Sequence, residues 1–407
     1  MMNNISIHYE CEEKNSNSLS FVGIESKENV LKVVFPRGYN LSQSDTGKRE
    51  DILLLLRTFN KYSQRLQSGK IFIKDRNHLL SGAGDSFPFS EAIWLLSDYQ
   101  RNGLYNLNEK KYKIASSGNI DWSRTIKKQI PHIHEDNLVY LDFVVRKKNK
   151  NNQNYILNIQ KYIIEICVDT IGWLFPNIFI EKNNKLPYST AQCISLLRKE
   201  LQRSNIDSTK NLLKNMIVFL EKVGDKQSND FLKNYKTEYF RYIWEDMLNV
   251  VFGNDDPNIY YPHAVWTIDS KEIPASQLRP DIIYKIRTDH GQIIYVLDAK
   301  YYWYGITNIP SDLPQSSDIA KQFVYSSHIE SKFKIPAHDV FILPYSSIND
   351  TKILSLCAKA KIDINIYKNK EITCILADTK TIMKQYIHMS KLDELKRLLI
   401  NTINSKE

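Results

Sequence analysis

RPDIIYKIRTDHGQIIYVLDAKYYWYG, residues 279–305, is the stretch on which the reading of this chain turns. Its apolar and alternating text predicts one strand from Asp281 to Arg287 and a second from Gln292 to Leu297, joined by a turn near His290 and Gly291. Antiparallel pairing around that turn sets Asp281, at the start of the first strand, beside Asp298 at the end of the second. Strand side chains alternate between faces, so Asp298 and Lys300 are expected on one face with Ala299 turned away. Two carboxylates and an ammonium would then meet at one end of a sheet.

Those residue types suit a defined chemistry. Hydrolysing a phosphodiester requires neutralising the charge that builds on the phosphate oxygens while a water is made nucleophilic, and a hard divalent cation held by carboxylates does both. A neighbouring lysine orients the water or stabilises the developing charge. Taken alone, a D-x-K at a strand end is more often a surface ion pair of little energetic weight.

The flanking text adds candidates. EYFRYIWEDMLNVVFG (238–253) predicts a helix with Tyr239, Tyr242, Ile243, Asp246 and Met247 along one side and Glu245 on another. Glu245 is therefore a candidate third carboxylate for the cation, the alternative being a solvated helical side chain. SSDIAKQFVYSSHI (316–329) places Asp318, Lys321, Gln322 and Tyr325 on successive turns, with Gln322 and Tyr325 on a shared face. Both could border the active site or simply fasten their helix to the sheet. Arg279 is a candidate phosphate contact, or the partner of a nearby acid.

Working outward, the text from Tyr235 onward predicts a helix (Glu238 to Phe252) and strands at Ala264 to Ile268, Asp281 to Arg287 and Gln292 to Leu297. A helix (Asp318 to Ile329), strands at Asp339 to Leu343 and Ile372 to Leu376, and terminal helices follow. That is an α/β arrangement, helices flanking a central mixed sheet. Upstream, SLSFVGIESKENVLKVVFPRGYNL (18–41) predicts a hairpin, and helical periodicity follows at Ile52 to Leu66 and Phe89 to Tyr99. Three further helices are expected at Tyr155 to Trp173, Ala191 to Leu201 and Thr209 to Val223. The polar break at Gly224 to Asn229 sets the expected boundary: an N-terminal α/β and helical region over 1–228 for contact with a partner or DNA, and a catalytic domain over 229–407. Within the first region, DWSRTIKKQIPHIH (121–134) combines Trp122 with Arg124, Lys127 and Lys128, a set suited to a nucleic-acid backbone or to a structural tryptophan with a solvated basic edge.

Composition bounds the rest. At 407 residues the chain exceeds the roughly 250 to 300 residues at which single cores stop growing, so two lobes are expected. Hydrophobic residues at 42% and charged residues at 25% exclude a disordered or fibrous chain. A formal net charge of +9 favours polyanionic partners such as DNA. The five cysteines form no C-x-x-C pair, which argues against structural zinc and for free thiols. MMNNISIHYECEEK carries no apolar run, and the apolar stretch Tyr162 to Ile180 is broken by Glu165, Asp169 and Pro176. A cytoplasmic protein with no membrane partner is expected.

RPD, LDAK (297–300) and DIAKQFVY (318–325) together resemble the PD-(D/E)XK nuclease superfamily, and in particular McrC-like and LlaJI-type restriction subunits. FVGIESKENVLKVVFPRGY (21–39), FPFSEAIWLLSDYQRNGLY (87–105), GNIDWSRTI (118–126) and YIWEDML (242–248) are similar to LlaJI-family text as well. The resemblance implies a restriction-endonuclease-like core in the C-terminal half. It implies Asp281, Asp298 and Glu245 as ligands of Mg²⁺ or Mn²⁺, Lys300 as the catalytic lysine, and Gln322 and Tyr325 as the helix bordering the site. The implied activity is endonucleolytic cleavage of double-stranded DNA in a restriction system, with a McrB-like AAA+ GTPase oligomer as partner. The chain has no G-x-x-x-x-G-K-[ST] loop, so any nucleotide motor would be a separate protein. Gln322 and Tyr325 stand three apart where relatives can have four, which touches only the role of Tyr325. A stand-alone restriction endonuclease and a non-catalytic adaptor that stimulates the motor remain as alternatives.

Overall fold

The computed structural model describes all residues except 1–5, 15–20, 28–29, 69–86, 106–110, 135–136, 148–150, 176, 225–233, 276–277, 290, 348–351 and 406–407. The chain divides into two compact units, one formed by Met1–Ser86 with Leu232–Glu407 and the other by Phe87–Phe231.

The first unit opens with β1 (Ser6–Cys11), β2 (Val22–Lys27), β3 (Val30–Phe35) and α1 (Asp45–Gln67). Ser44 caps α1, its side chain accepting from the Gly47 N–H, and Ile52, Leu55, Leu56, Phe59 and Tyr62 form its buried stripe. β2 and β3 form the expected hairpin. β1 then adds parallel to β3, and β8 (Asn234–Thr237), some 200 residues later, adds antiparallel to β2, giving the order β1-β3-β2-β8.

The second unit is largely helical: α2 (Phe89–Asn102), α3 (Trp122–Lys128), α4 (Asn151–Ile171), α5 (Thr190–Arg203) and α6 (Asp207–Val223). Two small ribbons accompany them, β4 (Lys111–Ala115) with β7 (Phe143–Lys147), and β5 (His132–His134) with β6 (Asn137–Val139). The helices expected in this stretch all form, and Phe87 meets Phe219 edge to face at 5.6 Å in their shared core.

After β8 the first unit resumes with α7 (Phe240–Phe252), β9 (Val265–Ile268), β10 (Lys271–Pro274), β11 (Ile282–Thr288), β12 (Gly291–Ala299), α8 (Tyr304–Thr307) and α9 (Ser316–Phe333). β13 (Ala337–Tyr345), β14 (Leu354–Ala360), β15 (Ile372–Asp378), α10 (Thr379–His388) and α11 (Leu392–Asn404) complete it. The central sheet runs β11-β12-β13-β15-β14, with β12, β13 and β15 mutually parallel and both edge pairs antiparallel. β13 is buried from Asp339 to Tyr345, as a middle strand covered on both faces must be. α7 packs on β11 and β12, burying Phe240, Ile243, Trp244, Met247, Val251 and Phe252 at three- and four-residue spacing. α9 covers the face made by Ile283, Ile294 and Val296. The mixed α/β architecture expected from the sequence is the one observed.

Three expectations change. The boundary after residue 228 holds only on one side, because residues 1–86 join the C-terminal unit instead of residues 87–228. The reason is non-local pairing: β8 completes the N-terminal sheet, the Thr379 hydroxyl donates to the Arg37 carbonyl, and Gly38, at φ +66°, lies so close to the Tyr345 backbone that a Cβ would fall 2.6 Å from it. The strand expected at Ala264 to Ile268 pairs with β10 in a separate exposed ribbon and not in the central sheet. β14, short and rich in small residues, is an edge strand the text did not suggest. The turn expected at His290 falls on a residue outside those described.

All five cysteines are free thiols, as the sequence suggests. Among the described residues no helix is long and apolar enough to cross a membrane.

One buried acid makes stability depend on pH. Asp339, on β13, is 4% exposed, and among the described residues its Oδ1 has no hydrogen-bond partner. Burial pushes its pKa up to about 7, against the opposing hydrogen bond from Ser326 and the charge of Lys370, with Glu330 reinforcing the rise. A carboxyl that keeps its proton when folded but loses it near pH 4 when unfolded contributes stability that is complete below pH 4 and fades as pH rises toward 7. Asp339→Asn should therefore melt with a shallower loss of stability from pH 4.5 to 7.5, the two proteins diverging by roughly 2–4 kcal/mol across that window. Parallel melting curves at all pH values would show that Asp339 ionises freely.

Candidate active site

The register of β11 and β12, with Ile282 opposite Leu297, carries one residue further to place Asp281 opposite Asp298. The Asp281 Oδ2 accepts from the Ala299 N–H at 2.9 Å, and the Asp281 and Asp298 side chains hydrogen-bond to each other. Lys300 leaves the strand on the Asp298 side, its Nζ 2.8 Å from Asp298 Oδ2 and 2.9 Å from Asp318 Oδ1. Asp298 and Lys300 thus share a face, as period-two alternation requires. Asp281, Asp298 and Lys300 come together at the end of the sheet.

Glu245 and Asp246 are adjacent but have opposite surroundings. Asp246 is buried, accepts from the Arg65 Nε at 2.9 and 3.1 Å and from its Nη2 at 2.9 Å, and takes the Tyr386 hydroxyl at 2.6 Å. It is a fastening between α7, α1 and α10. Glu245 points elsewhere: burial pushes its pKa up to about 7, the charge of Asp298 adds to the rise, and Arg279 and Lys300 oppose it. Asp281 is pushed well above the ordinary carboxylate range by burial, then by the charges of Asp298 and Glu245. Three carboxyl groups therefore share one electrostatic neighbourhood, with Arg279 and Lys300 as its cations.

Among the described residues no three His, Cys, Asp or Glu side chains stand ready-made as a metal-ligand set. Asp281 spends one oxygen on the Ala299 amide and Asp298 one on Lys300, so a cation would share both carboxylates with bonds already made. The donor set nonetheless fits a hard divalent ion: it is all oxygen, and after burial the charge of Asp298 raises the pKa of both Asp281 and Glu245 in a way an added positive charge would relieve.

Behind this group, α9 is bolted to β12. Gln322 is fully buried and its Nε2 donates to the Val296 carbonyl at 2.7 Å. Tyr325 packs with Tyr260, Ile283, Ile294, Val296 and Ile329, and burial together with the charges of Asp298 and Asp281 raises its pKa. Tyr325 thus feels the charges of Asp298 and Asp281, and both residues fasten α9 to the sheet. The Y-Y-W-Y run after Lys300 is gripped from the N-terminal segment. The Arg37 guanidinium lies 4.4 Å from the Tyr301 ring centre and 4.0 Å from that of Trp303, and the Tyr301 hydroxyl donates to Glu12 Oε2 at 2.5 Å.

Trp122, Arg124, Lys127 and Lys128 belong to the other compact unit, on α3. All four are exposed, Trp122 meeting Phe143 edge to face at 5.6 Å beside a depression of about 570 Å³ lined by Trp122, Ile126, Val139, Tyr140 and Phe143.

Asp318, which the sequence sets on successive turns with Lys321, Gln322 and Tyr325 but to which it assigns no role, joins the group through Lys300. Burial works against its charge, but hydrogen bonds from Lys300 and Tyr302 hold its carboxyl below the ordinary range. For Lys300 burial likewise disfavours the charge, and Asp298 and Asp318 together more than restore it. Helical spacing sets Asp318 on the face of Gln322, one turn earlier, but its pairing with Lys300 is a contact between distant segments that no local pattern carries.

"Type II restriction enzyme BsuMI component YdjA" of Bacillus subtilis (strain 168) is 25% identical over 357 residues, 82% of this chain and 73% of that protein. A chain from the Thermococcus gammatolerans assembly of McrB AAA+ hexamers with bound McrC aligns over 92% of this chain and 82% of its own length, at 15% identity and a TM-score of 0.30, too low to argue from. The model of the LlaJI restriction endonuclease family matches residues 21–380, nearly the whole length over which β2 to α10 are laid out. This chain belongs to the LlaJI restriction endonuclease family.

Proposed function

We propose that this chain is the DNA-cutting subunit of a restriction system, hydrolysing phosphodiester bonds of double-stranded DNA at a PD-(D/E)XK site. The observation that carries the reading is the meeting of Asp281, Asp298 and Lys300 at the end of β11 and β12, with Lys300 Nζ 2.8 Å from Asp298. Asp281, Asp298 and Glu245 would hold Mg²⁺ or Mn²⁺, which when bound supplies charge neutralisation at the phosphate and a more acidic water. Lys300 presents its ammonium to the same water or to the scissile phosphate. Arg279, beside Glu245, is placed to meet a phosphate of the backbone. Gln322 and Tyr325 hold α9 against the strand that carries Asp298. The exposed Trp122, Arg124, Lys127 and Lys128 offer a second contact for DNA or for a partner.

The Bacillus relative is named as a component of a restriction enzyme, and the sequence resembles McrC-like subunits, so we propose a McrB-like AAA+ GTPase as the second component. Plasmid cleavage tests both levels. Cutting is expected with Mg²⁺, lost on chelation with EDTA and regained with excess Mg²⁺ or Mn²⁺; cutting that survives EDTA would end the cation reading. Dependence on GTP and the GTPase is expected too. Site-specific cutting by the chain alone would replace that partner with a stand-alone type II enzyme, and GTPase stimulation without any cutting would make it an adaptor.

A further inference from the structure

The Lys300 ammonium is shared between two carboxylates, at 2.8 Å from Asp298 and 2.9 Å from Asp318. Only Asp298 belongs to the proposed cation group. Asp318 sits in the first turn of α9, and its Oδ2 accepts from the Tyr302 hydroxyl at 2.8 Å and from the Gln315 N–H at 3.1 Å. The helix behind it is fastened to β12 through Gln322 and the Val296 carbonyl at 2.7 Å. Asp318 is thus a fixed carboxylate, mounted on an element attached to the strand that carries Asp298.

A lysine paired with Asp298 alone would compete with the cation for that carboxylate. Once displaced, its flexible four-carbon stem would regain rotamer freedom by swinging into water. We propose that Asp318 is a positioning residue: it keeps the Lys300 ammonium at the reacting phosphate when Asp298 turns to the cation. Cation binding then costs Lys300 one of two bonds and leaves its place unchanged. The bland alternative is that Asp318 serves only as the cap of α9, through Gln315 and Tyr302.

The inference rests on the nuclease reading, and Asp318→Asn separates the two. Asparagine keeps an oxygen for Tyr302 and for Gln315, so the cap survives, but it gives up the ionic hold on Lys300. With the wild-type protein and whatever partner it needs, Asp318→Asn should lower kcat about 10- to 100-fold with KM for DNA and the melting temperature unchanged. A second readout needs no turnover. Acylation of Lys300 by an amine-reactive reagent, followed by mass spectrometry, should stay slow in wild type on adding Mg²⁺ and become fast in Asp318→Asn. Wild-type kcat in the variant, or equal labelling of the two proteins with Mg²⁺ present, would overturn the positioning role and leave the nuclease reading standing. A wild-type protein that never cuts, or an Asp298→Asn variant that still does, would instead sink the nuclease reading.

Discussion

Asp298→Ala is expected to abolish DNA cleavage, with a fall of about 10³-fold or more, while leaving a folded protein. The size of the effect follows from how many functions converge on this carboxylate. It faces Asp281 across the β11–β12 ladder, raises the pKa of Asp281 and Glu245 by its charge, and is one of the two anchors of Lys300. Losing it removes a ligand from the proposed cation group and weakens the field that attracts a cation at all. Stability should move the other way. The charge of Asp298 bears on two other carboxyl groups held away from water, Asp281 and Glu245, so removing it relieves repulsion where no cation is bound. In EDTA the variant should melt at or above the wild-type temperature. On adding Mg²⁺ the wild type should gain stability by mass action and the variant should not. A variant that cuts DNA at the wild-type rate, or gains as much stability from Mg²⁺, would remove Asp298 from the site.

The largest loss of stability is expected one residue away from a site acid. Asp246→Ala should destabilise the fold by about 3–5 kcal/mol, because it strands a guanidinium and a buried hydroxyl that now share one carboxylate. Asp246 takes three hydrogen-bond contacts from Arg65 and one from Tyr386, tying α7 to α1 and α10. The melting temperature should fall by roughly 10 °C. Glu245→Gln is the paired control: its carboxyl is already driven toward neutrality by burial and by Asp298, so the amide should cost little stability while lowering cleavage. Equal stability of Asp246→Ala and Glu245→Gln in chemical denaturation would mean that the Arg65–Asp246–Tyr386 fastening carries no weight.

That contrast shows what kind of information a sequence holds. Local periodicity separates Glu245 from Asp246 on α7, puts Asp298 and Lys300 on one strand face, and makes residues 281 and 298 meet across a hairpin. Each follows from fixed geometry, 3.6 residues per helical turn and two per strand repeat. The same text also supports the central α/β layering, since long periodic helices and short apolar strands alternate along the chain. Edge strand β14 escaped because its text is short and rich in small residues, Ser355, Cys357, Ala358 and Ala360, which carry little hydrophobic pattern.

The sequence by itself determined the local elements and the convergence of two aspartates and a lysine, because hairpin register and side-chain alternation are short-range rules. The tertiary structure alone decided that residues 1–86 complete the C-terminal unit, that Arg37 clamps Tyr301 and Trp303, and that Asp318 becomes the second anchor of Lys300. Those arrangements depend on pairings between distant segments, such as β2 with β8, whose register is set by which surfaces remain to be buried once the local elements have formed.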